Sequence, residues 1–280
     1  MKVTDKDLYI EPRLKDKLDL MIKRSTGKNK DDNVLLVDGE EGMGKSNMAA
    51  LCAYYIHYEM KRPFDVSNMF FNLDELLQFA IHTKEQIIVW DEAALGGLAV
   101  EWWRKNQLQF IKLLMIARKK RHFMIICIPK FFKLNEYIAV DRSIGLIHVY
   151  AANAMSKGRF VYYNKDQKEY LYEKWRKTRT KVYRKYYNFH GRFLEVMSKV
   201  LDELEYDKKK DAAIMQLGGN NPAQKVDTKK ELVIDFMKRL DKDEIHLTQK
   251  KISELFGYSK RNIERFAREI KLTADTATPY

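Results

Sequence analysis

The sequence predicts an α/β fold: a mostly parallel sheet with flanking helices, then a helical connector and a small all-α domain. Three observations lead there. Short apolar runs alternate with helical patterns over residues 31–172, a glycine-rich turn joins one such run to a helix, and another run ends in the acid pair Asp91-Glu92. A chain of 280 residues is long enough to bury a full α/β core and still carry a second domain.

The elements follow in order. Residues 1–30 read as a polar lead-in with one short amphipathic helix around Leu14, Leu18 and Met21. Val34-Leu35-Leu36-Val37 is a buried-strand run, and Asn47 to Tyr58 a helix. Val66 to Phe71 reads as a strand, Leu73 to Ala80 as a helix, Gln86 to Trp90 as a strand and Trp102 to Lys119 as a long helix. Phe123 to Ile128 is apolar throughout and is stopped by Pro129, the mark of a central strand. Leu146 to Tyr150 gives one more strand, and Arg159 to Tyr163 with Tyr170 to Tyr172 reads as a hairpin around Lys165-Asp166. Right-handed crossovers between such units place a ligand at the carboxyl ends of the strands.

Between the first strand and its helix stands Gly39-Glu40-Glu41-Gly42-Met43-Gly44-Lys45-Ser46, a complete GxxxxGKS phosphate loop. A tight glycine turn lets successive backbone N–H groups face a β-phosphate at the positive end of a helix. Gly39, Gly42 and Gly44 supply the turn, with Met43 and Asn47 beside it. Lys45 reaches the β- and γ-phosphates, and the Ser46 hydroxyl is a ligand for Mg2+. The second motif, Gln86-Ile87-Ile88-Val89-Trp90-Asp91-Glu92, has the form of a Walker B segment. Asp91 would hold magnesium through water, and Glu92 would polarise the water that attacks the γ-phosphate. Loop and acid pair together favour ATP hydrolysis over nucleotide binding alone.

The chain carries 52 Lys and Arg against 39 Asp and Glu, for a net charge of +13, which implies an anionic partner, nucleic acid before membrane. No apolar stretch approaches the roughly 18 residues that span a bilayer, and the first seven residues do not form a secretory signal. A cytoplasmic protein is expected, in the host cytoplasm if the gene is viral. Cys52 and Cys127 lie inside apolar elements and read as packed reduced thiols.

The loop, the Ile88-Val89-Trp90-Asp91-Glu92-Ala93 segment, and Ala117-Arg118-Lys119-Lys120-Arg121-His122 ahead of an apolar strand resemble the additional-strand, catalytic-glutamate P-loop ATPases. Within them the chain is similar to the FtsK/HerA-like branch, including zonular-occludens-toxin-like ATPases of phages and mobile elements. The resemblance spans about residues 30–165 and implies a RecA-like sheet in a ring-forming DNA motor. A ring motor needs a cation from the neighbouring subunit to stabilise charge on the transferring phosphoryl group. Arg118, Arg121 and Arg142 are the candidates, Arg142 preferred, while Arg118 to Arg121 could equally face DNA. Where many members carry Gln or Asn after the sensor strand, this chain has Pro129 and Lys130, and Lys130 is a candidate sensor.

Residues 173–212 read as a basic helical connector. Lys174 to Arg192 contains no acid; Lys177 and Lys181 are candidate phosphate contacts, and the interleaved Trp175, Tyr183, Tyr186 and Tyr187 could stack on bases or pack on the sheet. The helical pattern continues through Phe193, Val196, Met197, Val200 and Leu204. Residues 213–228 read as a linker around Gly218-Gly219-Asn220-Asn221-Pro222. Residues 229–280 then resemble a helix-turn-helix, with Thr248 and Ser259 as helix caps and Lys260, Arg261, Asn262 and Arg265 facing a major groove. Such trihelical modules also serve as protein-docking units.

The expected function is an ATP-driven motor of a phage or mobile element that translocates or packages double-stranded DNA as a ring homo-oligomer, with a capsid portal or transfer-complex protein as a further partner and no membrane. The alternatives are an ATP-switched DNA-binding adaptor, such as a regulator, partition protein or replication loader, and a structural oligomer docked to a capsid.

Overall fold

The computed structural model describes residues 5–26, 33–91, 99–152, 157–183 and 185–219, with the isolated positions Thr248, Glu264 and Ala267; for 99–108 and 216–219 it describes the backbone only. The chain parts into two compact units, Met1–Leu217 and Gly218–Tyr280, the break falling at the glycine pair. The expected helix-turn-helix, with Lys260, Arg261, Asn262 and Arg265, lies outside the described residues.

The first unit is a seven-stranded α/β sheet. Its strands are β1 (Val34–Asp38), β2 (Met69–Phe70), β3 (Ile87–Asp91), β4 (Phe123–Ile128), β5 (Gly145–Tyr150), β6 (Arg159–Tyr163) and β7 (Phe189–Arg192). They lie in the order β2-β3-β4-β1-β5-β6-β7. The first five run parallel, while β6 and β7 add antiparallel pairs at one edge. The helices are α1 (Pro12–Thr26), α2 (Lys45–Met60), α3 (Leu73–His82), α4 (Ala99–Lys120), α5 (Lys165–Thr178), α6 (Met197–Val200) and α7 (Glu203–Gly219).

Strand pleat sorts the core into two layers. Leu35 and Val37 of β1 face the layer that holds α1 and α2, whereas Val34 and Leu36 face the layer of α3 and α4. Helix α2 is buried from Asn47 to Ile56, so it is apolar on nearly every side, as suits a helix between sheet and outer helix. The lead-in is part of this core: Leu8, Ile10, Leu14 and Leu18 are all buried. Cys52 and Cys127 are buried and not in a disulfide, and burial pushes the Cys52 thiol up to about 12.

Three sequence readings are corrected. Residues 165–178 form α5, not the second arm of a hairpin. The Asn164 side chain accepts from Gln167 N at 3.1 Å, and the buried Lys168, Leu171 and Tyr172 follow helical spacing. The partner of β6 is instead β7, formed by Phe189–Arg192. That strand interrupts the helix expected to run on through Phe193 and Val196, whose side chains pack into the α2 layer. Finally, Val66–Asn68 is a 3-10 turn capped by Asp65, which leaves only Met69 and Phe70 for β2.

Lys168 is fully buried, its ammonium donating to Val140 O at 3.1 Å and to both oxygens of Ser143. Burial, with the neighbouring Lys165 charge, pushes its pKa down from 10.5 to about 7. Between those values the unfolded chain binds the proton and the folded chain does not, so stability rises with pH. At the upper end the buried Tyr54 and Tyr162 phenols, pushed up to about 12, reverse the slope, because the unfolded chain then releases protons the folded chain keeps. Denaturant midpoints are therefore expected to climb from about pH 7 to about pH 9.5 in the natural protein. In Lys168→Met the climb should flatten.

Candidate functional site

The predicted phosphate loop closes the carboxyl end of β1, and its glycines have distinct duties. A Cβ on Gly39 would stand 2.4 Å from Val149 O, so the loop leaves the sheet in close contact with β5. Gly42 and Gly44 adopt φ of +73° and +92°, the left-handed region that glycine enters without a steric penalty. Gly44 is then the N-cap of α2, whose free N–H groups face the loop. Lys45 spans the turn, its ammonium donating to Gly39 O and Glu40 O at 2.9 Å each.

The Walker B strand is not a neighbour of β1. Asp91 is in register with Cys127 of β4, and Cys127 with Val37 of β1, so two strand spacings, roughly 10 Å, separate Asp91 from the loop strand. Strand β4 lies between the two motif strands, as the resemblance to the additional-strand P-loop ATPases implies, and the order β2-β3-β4-β1-β5 with the loop after β1 is that of a RecA-like α/β sheet. No family model matches the chain, and no curated protein matches it. Among solved structures it is similar to a crystal structure of the FIGL-1 AAA domain in complex with ADP, at 14% identity and a TM-score of 0.37, over 95% of this chain and 83% of that one. The fold assignment rests on strand order and loop, not on that likeness.

Asp91 is fully buried, and its two oxygens differ. Oδ2 accepts a 2.7 Å hydrogen bond from the Tyr206 hydroxyl, whereas Oδ1 has no hydrogen-bond partner among the described residues. An unpartnered buried carboxylate oxygen is costly. Across β4 from a Lys-Ser pair at a helix N-terminus, that oxygen fits a hard cation such as Mg2+, to which Ser46 would give a hydroxyl, Asp91 a carboxylate and ATP its phosphate oxygens. The cation would neutralise charge on the phosphates. Among the described residues no group of three His, Cys, Asp or Glu could form a metal cluster. Glu92, the expected general base, lies outside the described residues.

Asn47 does not point into the loop. Its amide donates to Leu194 O and accepts from Val196 N, both at 2.7 Å, fastening a strap of residues 193–201 to α2. Phe193 of that strap lies over the loop, its ring 3.2 Å from where a Cβ on Gly44 would be. Met43 is half-buried against the same layer.

On the other side of the loop is a cavity of about 600 Å³ lined by Asp38, Glu40, Lys130, His148, Lys181 and Tyr183 among others. Buried Asp38 ties three strand ends together there: Oδ1 meets His148 Nδ1 at 2.9 Å, and Oδ2 accepts from Phe131 N at 3.3 Å. Tyr183 stacks on His148 at 3.9 Å, and burial with the Asp38 carboxylate pushes its phenol upward. Lys130, the candidate sensor, is exposed on the cavity wall, and so is Lys181.

The arginines stand elsewhere. Arg118 and Arg121 close α4 just before β4, and Arg142 precedes β5, so all three sit at the amino end of the parallel strands, away from the loop. Arg118 and Arg121 are exposed. Arg142 is buried and engaged within its own chain, donating to Leu114 O at 2.8 Å and to the Tyr137 hydroxyl at 3.0 Å.

Lys177 is exposed near the end of α5, beside an exposed Arg179. The aromatics of this basic stretch split between two duties. Trp175 and Tyr183 pack on Phe132, at 5.3 and 4.9 Å between ring centres, whereas Tyr186 and Tyr187 are exposed. Among the described residues no helix is long and apolar enough to cross a membrane.

Sequence reasoning missed Asp38, His148 and Tyr206. A buried acid directly ahead of the phosphate loop could have marked Asp38. Nothing local marks Tyr206, 115 residues from its partner.

Proposed function

We propose that this chain is an ATP-hydrolysing DNA motor of a phage or mobile element, which translocates or packages double-stranded DNA as a ring of identical subunits. The observation that carries the hydrolytic part is the buried Asp91, its Oδ1 unpartnered among the described residues, set across β4 from the Lys45-Ser46 loop. ATP would bind through the loop amides and Lys45, with Mg2+ at Ser46 and Asp91. Glu92, next in the chain, would take the proton of the attacking water.

Three features support the DNA-directed part. The chain carries a net +13. The end of α5 and the loop after it offer Lys177, Arg179 and Lys181 to solvent. The sequence of residues 248–265 has helix-turn-helix spacing. Because Trp175 and Tyr183 are committed to packing, contact in the 174–185 region rests on phosphate charge more than on base stacking. Of the arginines, exposed Arg118 can reach a neighbouring subunit without breaking internal bonds, as buried Arg142 cannot.

Phosphate release measured with magnesium and long duplex DNA tests both parts. Turnover in Glu92→Gln is expected to fall by roughly 10²–10⁴ while bound ATP is retained. An unchanged rate removes Glu92 as general base. The natural protein should displace a third strand pre-bound to the duplex; hydrolysis without displacement leaves an ATP-switched adaptor instead of a motor.

A further inference from the structure

The hydrogen-bond pattern at Asp91 assigns a role to a residue far outside both nucleotide motifs. Tyr206 belongs to the first turn of α7, and it is buried against the Walker B strand. Its hydroxyl donates to Asp91 Oδ2 at 2.7 Å, which uses one carboxylate oxygen, while Oδ1 has no hydrogen-bond partner among the described residues. The phenol thus orients Asp91 by the carboxylate oxygen that coordination does not need.

We propose that Tyr206 is a positioning residue of the metal–nucleotide site, holding the Asp91 carboxylate in the orientation that receives magnesium. The inference rests on the ATPase reading of the loop. The surroundings are built for such a role. Two hydrogen bonds from Asn47, the residue after Ser46, fasten the strap that precedes Tyr206, and the Tyr206 ring packs edge-on against Phe71 at 5.5 Å.

The test is magnesium-dependent binding of a fluorescent ATP analogue to the full chain. In Tyr206→Phe the half-saturating magnesium concentration is expected to rise roughly 10- to 100-fold, as for other residues that orient metal ligands. Affinity in excess EDTA should stay at the natural value, since the loop amides and Lys45 are untouched. No change in the magnesium requirement overturns the proposal, as does equal weakening with and without magnesium, which marks a merely structural residue. Tighter magnesium binding overturns it too, because the hydroxyl would then be a competitor of the metal. If Tyr206→Phe does not fold, Phe71→Leu decides: it loosens the ring and spares the hydroxyl, and a several-fold rise in magnesium requirement with unchanged EDTA affinity is expected. An unchanged requirement, or equal loss with and without magnesium, is the overturning result. Natural protein that binds no nucleotide at any magnesium concentration defeats the ATPase reading itself, a failure visible before either variant is made.

Discussion

Replacing Lys45 with alanine is expected to lower ATP turnover by roughly 10²–10³ and to weaken nucleotide binding, with little change in folding stability. The lysine is the one side-chain cation inside the phosphate loop, and its ammonium is held by two loop carbonyls, Gly39 O and Glu40 O. It brings a full positive charge to the place where negative charge gathers on the transferring phosphoryl group. Neither carbonyl needs the lysine for the fold. Gly39 is fixed by its approach to Val149, and the half-buried Lys45 side chain adds no core surface. Calorimetric binding, phosphate release and thermal melting on the same preparation separate these effects. Undiminished turnover would mean that phosphate is split elsewhere.

Trp90→Ala is expected to cost about 3–5 kcal/mol of stability, within the range for removing a fully buried aromatic side chain. That is a large share of the roughly 5–15 kcal/mol that holds a typical domain together. Trp90 lies in β3 with no solvent exposure, in register with Phe70 on one side and Ile126 on the other, and its ring meets Phe110 at 5.0 Å. It stands immediately before Asp91, so a cavity there also loosens the strand end that presents the carboxylate. A denaturant titration should show an early midpoint, and phosphate release under native conditions should fall beyond what the loss of folded molecules explains. A stability loss under about 1 kcal/mol would show that neighbouring side chains close the gap.

The nucleotide motifs were legible because their chemistry is local. Three glycines, a lysine and a serine within eight residues specify a phosphate cradle, and an apolar run ending in Asp91 specifies a buried strand with an acid at its carboxyl end. The sheet's central strands were legible for a related reason: Val34 to Val37 and Phe123 to Ile128 are apolar at consecutive positions, which only a strand covered on both faces requires. Residues 159–200 were misread because their local patterns are ambiguous. Tyr170 and Tyr172 suit a strand by propensity, yet the Asn164 cap and the buried Lys168 and Leu171 select a helix. In the same way Phe193, Val196, Met197 and Val200 match helical spacing but serve as a strap on α2.

By itself, then, the sequence determined a glycine turn ahead of a helix, a carboxylate at a strand end and the alternation that makes an α/β sheet, since each is written in residues that are neighbours along the chain. Only the tertiary structure decided that β4 lies between the two motif strands, that Arg142 is spent inside its own chain, and that Tyr206 hydrogen-bonds Asp91 from 115 residues away. These are products of packing, and packing joins residues by the surface they share, which linear spacing does not record.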